Sequence, residues 1–129
     1  MFSHVTIAVS DVHRALEFWQ PMADCLGLIR SYWNPEAPAA SFRHPDHKRP
    51  LFFITRPFAG EPAPGNGPMV AFLAKDRATV RKAHELALSS GAVDEGAPAL
   101  RPQYHDTYYG AYFRDPDGNK ICVVCHDPE

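Results

Sequence analysis

The stretch RPQYHDTYYGAY (101–112) sets Tyr104, His105, Asp106, Tyr108 and Tyr109 close together. An imidazole among phenols can carry a proton near neutral pH or bind a substrate oxygen, and aromatic rings supply stacking surface. The same residues also suit an aromatic loop packed on its neighbour, with His105 a solvated hydrogen-bonding residue. Nine residues further on, ICVVCH (121–126) brings Cys122, Cys125 and His126 together. The spacing of the cysteines imitates a metal knuckle, but residues three apart on a strand face opposite sides, so the two sulfurs do not share an ion. Cys125 is expected to pack with Ile121 and Val123 against helices. His126 has the parity of Cys122, which places it at the rim of a cavity or at a frayed strand end. Trp19 belongs to a core stripe, whereas Tyr32 and Trp33 suit a pocket lining or a dimer face. His44, His47, His13 and His84 are read as surface residues. No nucleophile elbow, phosphate-cradling glycine loop or dinucleotide fingerprint occurs.

The elements that must position these groups are legible from periodicity. Val5, Ile7 and Val9 alternate with His4, Thr6 and Ala8, the period of a strand with one apolar face. Asp11 can cap a helix from 12 to about 26, with Ala15, Trp19, Met22 and Leu26 as its stripe and Pro21 as an expected kink. In the second half Val70, Phe72 and Ala74 alternate in the same way, and Asp76 can cap a helix that Gly91 stops. Three shorter strand candidates follow each helix: near 28–33, 39–43 and 50–55, then near 93–101, 108–114 and 120–126. DPDG (115–118) is a tight-turn sequence joining the last two.

The halves repeat. HVTIAVSDVHRALEF (4–18) aligns with MVAFLAKDRATVRKA (69–83) and puts Asp11 on Asp76, an offset of 65 residues. FRHPDH (42–47) repeats as FRDPDG (113–118), an offset of 71. The order of signals is kept with a slip of six, as in two modules of about sixty residues. Each module reads βαβββ: residues 1–56 and 68–129 of one domain, joined by a Pro/Gly-rich linker at 57–67. At 129 residues the chain can bury roughly two-thirds of its unfolded surface. A formal charge of −2 gives no electrostatic pull toward nucleic acid or membrane. Three cysteines without a basic, apolar leader point to free thiols and a cytoplasmic protein.

A duplicated βαβββ unit that begins HVTIAVSD and closes YYGAYFRDPDGNKI resembles the vicinal oxygen chelate superfamily, which includes glyoxalase I, bleomycin-resistance proteins, fosfomycin-resistance enzymes and extradiol dioxygenases. The resemblance implies an α+β fold in which two βαβββ modules form a curled mixed sheet around a cavity, commonly as a homodimer. It also implies a divalent metal held from the first and fourth strands of each module, where it stabilises charge developing on substrate oxygens. Carried over, His4 matches the first-strand histidine. Leu51 and Phe53 are the fourth-strand candidates, Met69 stands where the family has a second histidine, and Cys122 where it has a glutamate. His4, Met69 and Cys122 are soft donors suited to zinc or copper, or else Met69 and Cys122 fill a cavity that needs no metal. The second alternative is preferred, with no cofactor expected.

Three readings follow. The first is a protein that binds a small organic ligand without metal. The second is a remodelled enzyme, lyase-like or dioxygenase-like, in which His105, Cys122 and His4 act on a carbonyl or aromatic substrate contacted by Tyr104, Tyr108, Tyr109, His126 and Trp33. The third is an interaction module with a filled cavity, which small residues at Thr6, Ala8 and Ala71 disfavour. The first is preferred.

Overall fold

A computed structural model describes residues 1–129. The first module comprises β1 (His4–Ala8), α1 (Val12–Cys25), β2 (Ile29–Asn34), β3 (Ala39–Arg43) and β4 (Leu51–Thr55). The second repeats that order as β5 (Val70–Leu73), α2 (Arg77–Ser89), β6 (Val93–Leu100), β7 (Tyr109–Arg114) and β8 (Lys120–Cys125). The two four-stranded sheets have the orders β1-β4-β3-β2 and β5-β8-β7-β6. In each, the outer pair β1/β4 or β5/β8 is parallel and the remaining pairs are antiparallel. The α+β architecture with two βαβββ modules read from the sequence is therefore the observed one.

Local chemistry explains the helices. Asp11 Oδ1 accepts from the Arg14 amide at 3.1 Å, and Asp76 Oδ1 from the Thr79 amide at 2.7 Å, so each acid satisfies a first-turn donor. The Asp76 carboxyl is held below the usual range by these Thr79 hydrogen bonds. Helix α1 continues through Pro21, whose ring lies on the exposed side.

The helices lie on the inner faces of the sheets and meet each other, so one apolar core spans both modules. Trp19 touches Phe52 at 4.8 Å and Phe72 at 5.9 Å between ring centroids, and Phe52 meets Phe72 edge-on at 4.9 Å. These rings join α1, β4 and β5, and burying each contributes roughly 2 kcal/mol.

The DPDG turn locks the modules together. Asp115 is 2% exposed and its carboxylate accepts from Trp19 Nε1, from the Asp117 and Asn119 amides and from Asn119 Nδ2. Asn119 Nδ2 also reaches the Ala8 carbonyl at 2.9 Å, and Asp117 Oδ1 accepts from the Ser10 amide at 2.9 Å. Burial pushes the Asp115 carboxyl up, and the bonds from Asn119 and Trp19 pull the other way. The groove beside this turn, about 520 Å³, is lined by Ser10, Trp19, Asp115 and Asp117, which are bonded to one another.

One surface assignment is corrected. His84 is 7% exposed, and its Nε2 lies 2.9 Å from Asp94 Oδ1. The helix is apolar on the neighbouring turns, so this face turns inward and a strand residue supplies the partner. No helix is long and apolar enough to cross a membrane.

Candidate functional site

Strand alternation sorts the second sheet into two faces. Ala111 and Phe113 on β7, with Ile121, Val123 and Cys125 on β8, point to the core. Tyr112 and Cys122, paired across the ladder, take the opposite face. Cys122 and Cys125 are therefore on opposite sides of β8, although both are buried.

On that outer face opens a cavity of about 630 Å³, bordered by Met69, Tyr104, His105, Tyr108 and His126. Tyr112 and Lys120 complete its floor and edge. Tyr108 reaches it because residue 110 has no side chain: a Cβ on Gly110 would lie 2.8 Å from Tyr108 Cε1. The ring lies over the strand, its hydroxyl 2.8 Å from the Tyr112 hydroxyl and 3.5 Å from Cys122 Sγ. Burial raises the Tyr108 hydroxyl pKa far above the usual phenol range, reinforced by hydrogen bonding to Cys122 and Tyr112. Tyr112 is raised as well, again chiefly by burial. Burial pushes the Cys122 thiol up, so at neutral pH it is a thiol and not the reactive thiolate.

At the mouth, His105 Nε2 and His126 Nδ1 are hydrogen-bonded at 2.7 Å, their rings stacked with centroids 5.0 Å apart. Thr107 braces the pair, its hydroxyl donating to the His126 carbonyl at 2.5 Å. Tyr104 and Tyr108 meet edge-on at 4.9 Å. The structure thus brings together Tyr104, His105, Tyr108 and His126 around one cavity, with Cys122 buried behind Tyr108 and outside the lining.

Three residues expected at the site stand elsewhere. Tyr109 is on the core side of β7 under Arg77 and Arg81, whose guanidinium carbons lie 5.2 and 5.8 Å from its ring. Successive strand residues point to opposite faces, so Tyr108 and Tyr109 cannot serve the same cavity. Trp33 is in the first sheet, edge-on to His13 at 5.0 Å. His4 lies on the first sheet's outer face beside Phe53, ring centroids 5.6 Å apart, and away from the cavity of the second. Tyr112 and Lys120 were not singled out from the sequence. Their signal was parity: Lys120 precedes Cys122 by two on β8, and Tyr112 is its ladder partner.

The backbone equates the modules more closely than sequence offsets do. The Val9 amide donates to the Thr55 carbonyl, and the Ala74 amide to the Val124 carbonyl. The first-strand offset is therefore 65, but the last-strand offset is 69, which pairs Phe53 with Cys122. The positions that the resemblance marks as metal-holding, His4, Phe53, Met69 and Cys122, carry an imidazole, a phenyl ring, a thioether and a buried, hydrogen-bonded thiol. This set does not fit a hard, oxygen-loving cation, because it contains no carboxylate and a single nitrogen donor. No three side chains of His, Cys, Asp or Glu converge as a metal-holding group.

Comparison with known proteins agrees with this architecture. The family model described as Glyoxalase/Bleomycin resistance protein/Dioxygenase superfamily matches residues 1–123. A glyoxalase/bleomycin resistance protein from Albidiferax ferrireducens T118 superposes with a TM-score of 0.83 at 30% identity, covering 98% of this chain and 99% of that one. A glyoxalase/bleomycin resistance protein/dioxygenase family enzyme from Burkholderia phytofirmans PsJN gives 0.72 at 18% identity, over 97% and 98% of the chains. Lactoylglutathione lyase from Agrobacterium tumefaciens gives 0.64 at 21% identity, over 97% and 92%, a likeness of fold alone. No curated protein matches. With its duplicated modules and a family model matching nearly its whole length, the chain belongs to the glyoxalase/bleomycin resistance protein/dioxygenase superfamily.

Proposed function

We propose that this is a cytoplasmic small-molecule-binding protein that uses the second-module cavity and has given up the metal chemistry of its superfamily. The observation that carries this reading is a concave, tyrosine-lined cavity on the same sheet face where Cys122 is buried and bonded to Tyr108. Such a surface offers stacking and hydroxyl groups to an organic ligand and no anchor to a hard cation. The uncovered apolar row of Met69, just before β5, with Ala71 and Leu73 on β5 supports assembly as a homodimer, which would screen it from water. The test is a crystal structure of the protein as purified. Density for an organic molecule against Tyr108 and Tyr112 supports the reading, and a cavity closed by the chain's own side chains contradicts it.

A second reading rests on the His105–His126 pair. An imidazole held at 2.7 Å from a second one at the mouth of an aromatic cavity suits proton transfer to or from a bound carbonyl or aromatic substrate. His105 would act as the acid or base and His126 would orient it. Cys122 and His4 take no part in this version, the first being a buried thiol and the second lying on the other sheet. Loss of turnover in His105→Ala, with ligand binding retained, would favour it. Neither reading includes glyoxalase I chemistry: metal-dependent turnover of methylglyoxal with glutathione would refute both.

A further inference from the structure

We infer that the cavity recognises an organic anion, a small aromatic carboxylate, through Lys120 and the Tyr112 hydroxyl. The inference deepens the binding function proposed above and rests on it.

Two independent observations carry it. The first is charge. The chain has 15 acidic against 13 basic residues, yet no aspartate or glutamate lines the cavity, whereas Lys120, His105 and His126 do. The Lys120 ammonium forms none of the ion pairs in the protein and sits 5.7 Å from the centre of the Tyr112 ring. Arg101 lies over the same ring at 5.2 Å, its terminal nitrogen on the Ala97 and Gly110 carbonyls and its buried Nε without a partner. Two cations uncompensated by any carboxylate thus flank one phenol, a field that attracts a negative ligand.

The second is hydrogen-bonding capacity at the cavity floor. The Tyr112 hydroxyl borders the cavity and lies 2.8 Å from the Tyr108 hydroxyl, which in turn approaches Cys122 Sγ at 3.5 Å. With the Tyr108 proton turned to the Tyr112 oxygen, the Tyr112 proton is available to a ligand oxygen in the cavity. An oxygen anion accepts that proton and neutralises Lys120, while Tyr104 and Tyr108 supply stacking surface for its ring.

The test uses three probes of one shape and different charge: phenylacetate, phenylacetamide and phenethylamine. Each is titrated into the full-length protein while the His105 and His126 ring resonances are followed. Phenylacetate should bind about tenfold or more tightly than phenylacetamide, the scale of one charge-assisted hydrogen bond. Phenethylamine should be weakest. Lys120→Gln should erase the preference for the anion, and Tyr112→Phe should weaken phenylacetate more than phenylacetamide. Both variants must unfold at temperatures close to the parent's, since Lys120 lies at the cavity edge. If phenylacetamide binds as tightly as phenylacetate, the anion inference is overturned and the small-molecule reading stands. If none of the three moves the histidine resonances, both are overturned.

Discussion

The protein carries two copies of one turn and treats them oppositely. In the first module, HPDH (44–47) is exposed, and its histidine rings touch only each other and the local backbone. In the second, DPDG is folded inward, and Asp115 collects four hydrogen bonds, one from a tryptophan ninety-six residues away. The same contrast runs through the outer sheet faces. The first presents His4 against Phe53, and the second holds a cavity with a tyrosine pair, a histidine pair and an unpaired lysine. Duplication supplied one backbone twice, and side-chain choice gave the second copy the cavity that is the proposed site.

The largest effect should come from breaking the buried turn. Asp115→Ala leaves the Trp19 and Asn119 donors unpaired in the core, at a cost of about 3–5 kcal/mol, measurable by urea denaturation. Asp46→Ala, in the exposed copy, should stay within about 0.5 kcal/mol. Equal losses would erase the distinction between the copies.

Next is Gly110→Ala. A methyl group at 2.8 Å from Tyr108 forces that ring off the strand, which should cost about 1–3 kcal/mol and abolish ligand binding in the cavity. Unchanged binding would show that Tyr108 does not shape the site.

The smallest effect sharpens the picture of α2. The Asp94 carboxyl is held below the usual range, first by its hydrogen bond to His84 and then by the Gly96 amide. A depressed carboxyl adds stability above its unfolded pKa, about 3.9, and loses it as pH falls through the folded value. His84→Ala should therefore lower Tm modestly near neutral pH, and the Asp94 share of that gap should begin to shrink below about pH 4 and go on shrinking as pH falls through the depressed folded value. A gap that stays constant through the acid range would contradict this role.

Much of the backbone was legible because it is written in local signals. Period-two runs, two aspartate caps and the repeated turn define ten elements whose observed bounds differ from the reading by at most about one residue. The site was less so. Tyr109 was grouped with Tyr108 because both adjoin His105, but strand parity sends them to opposite faces. Lys120 and Tyr112 became visible only through the pairing of β7 with β8. His84 looked solvent-facing because its partner Asp94 comes from another element, and the reach of Asp115 to Trp19 crosses the modules. Contacts of that range depend on register and helix placement, which composition and spacing do not encode.

The central proposal is that the positions the resemblance marks for a metal hold groups unsuited to one, leaving the tyrosine cavity as the binding site. It is tested most directly by elemental analysis of protein purified without chelator, alongside ligand titration before and after chelator treatment. The account predicts metal far below one equivalent per chain and unchanged ligand affinity. Near-stoichiometric zinc, copper or nickel whose removal abolishes ligand binding would contradict it.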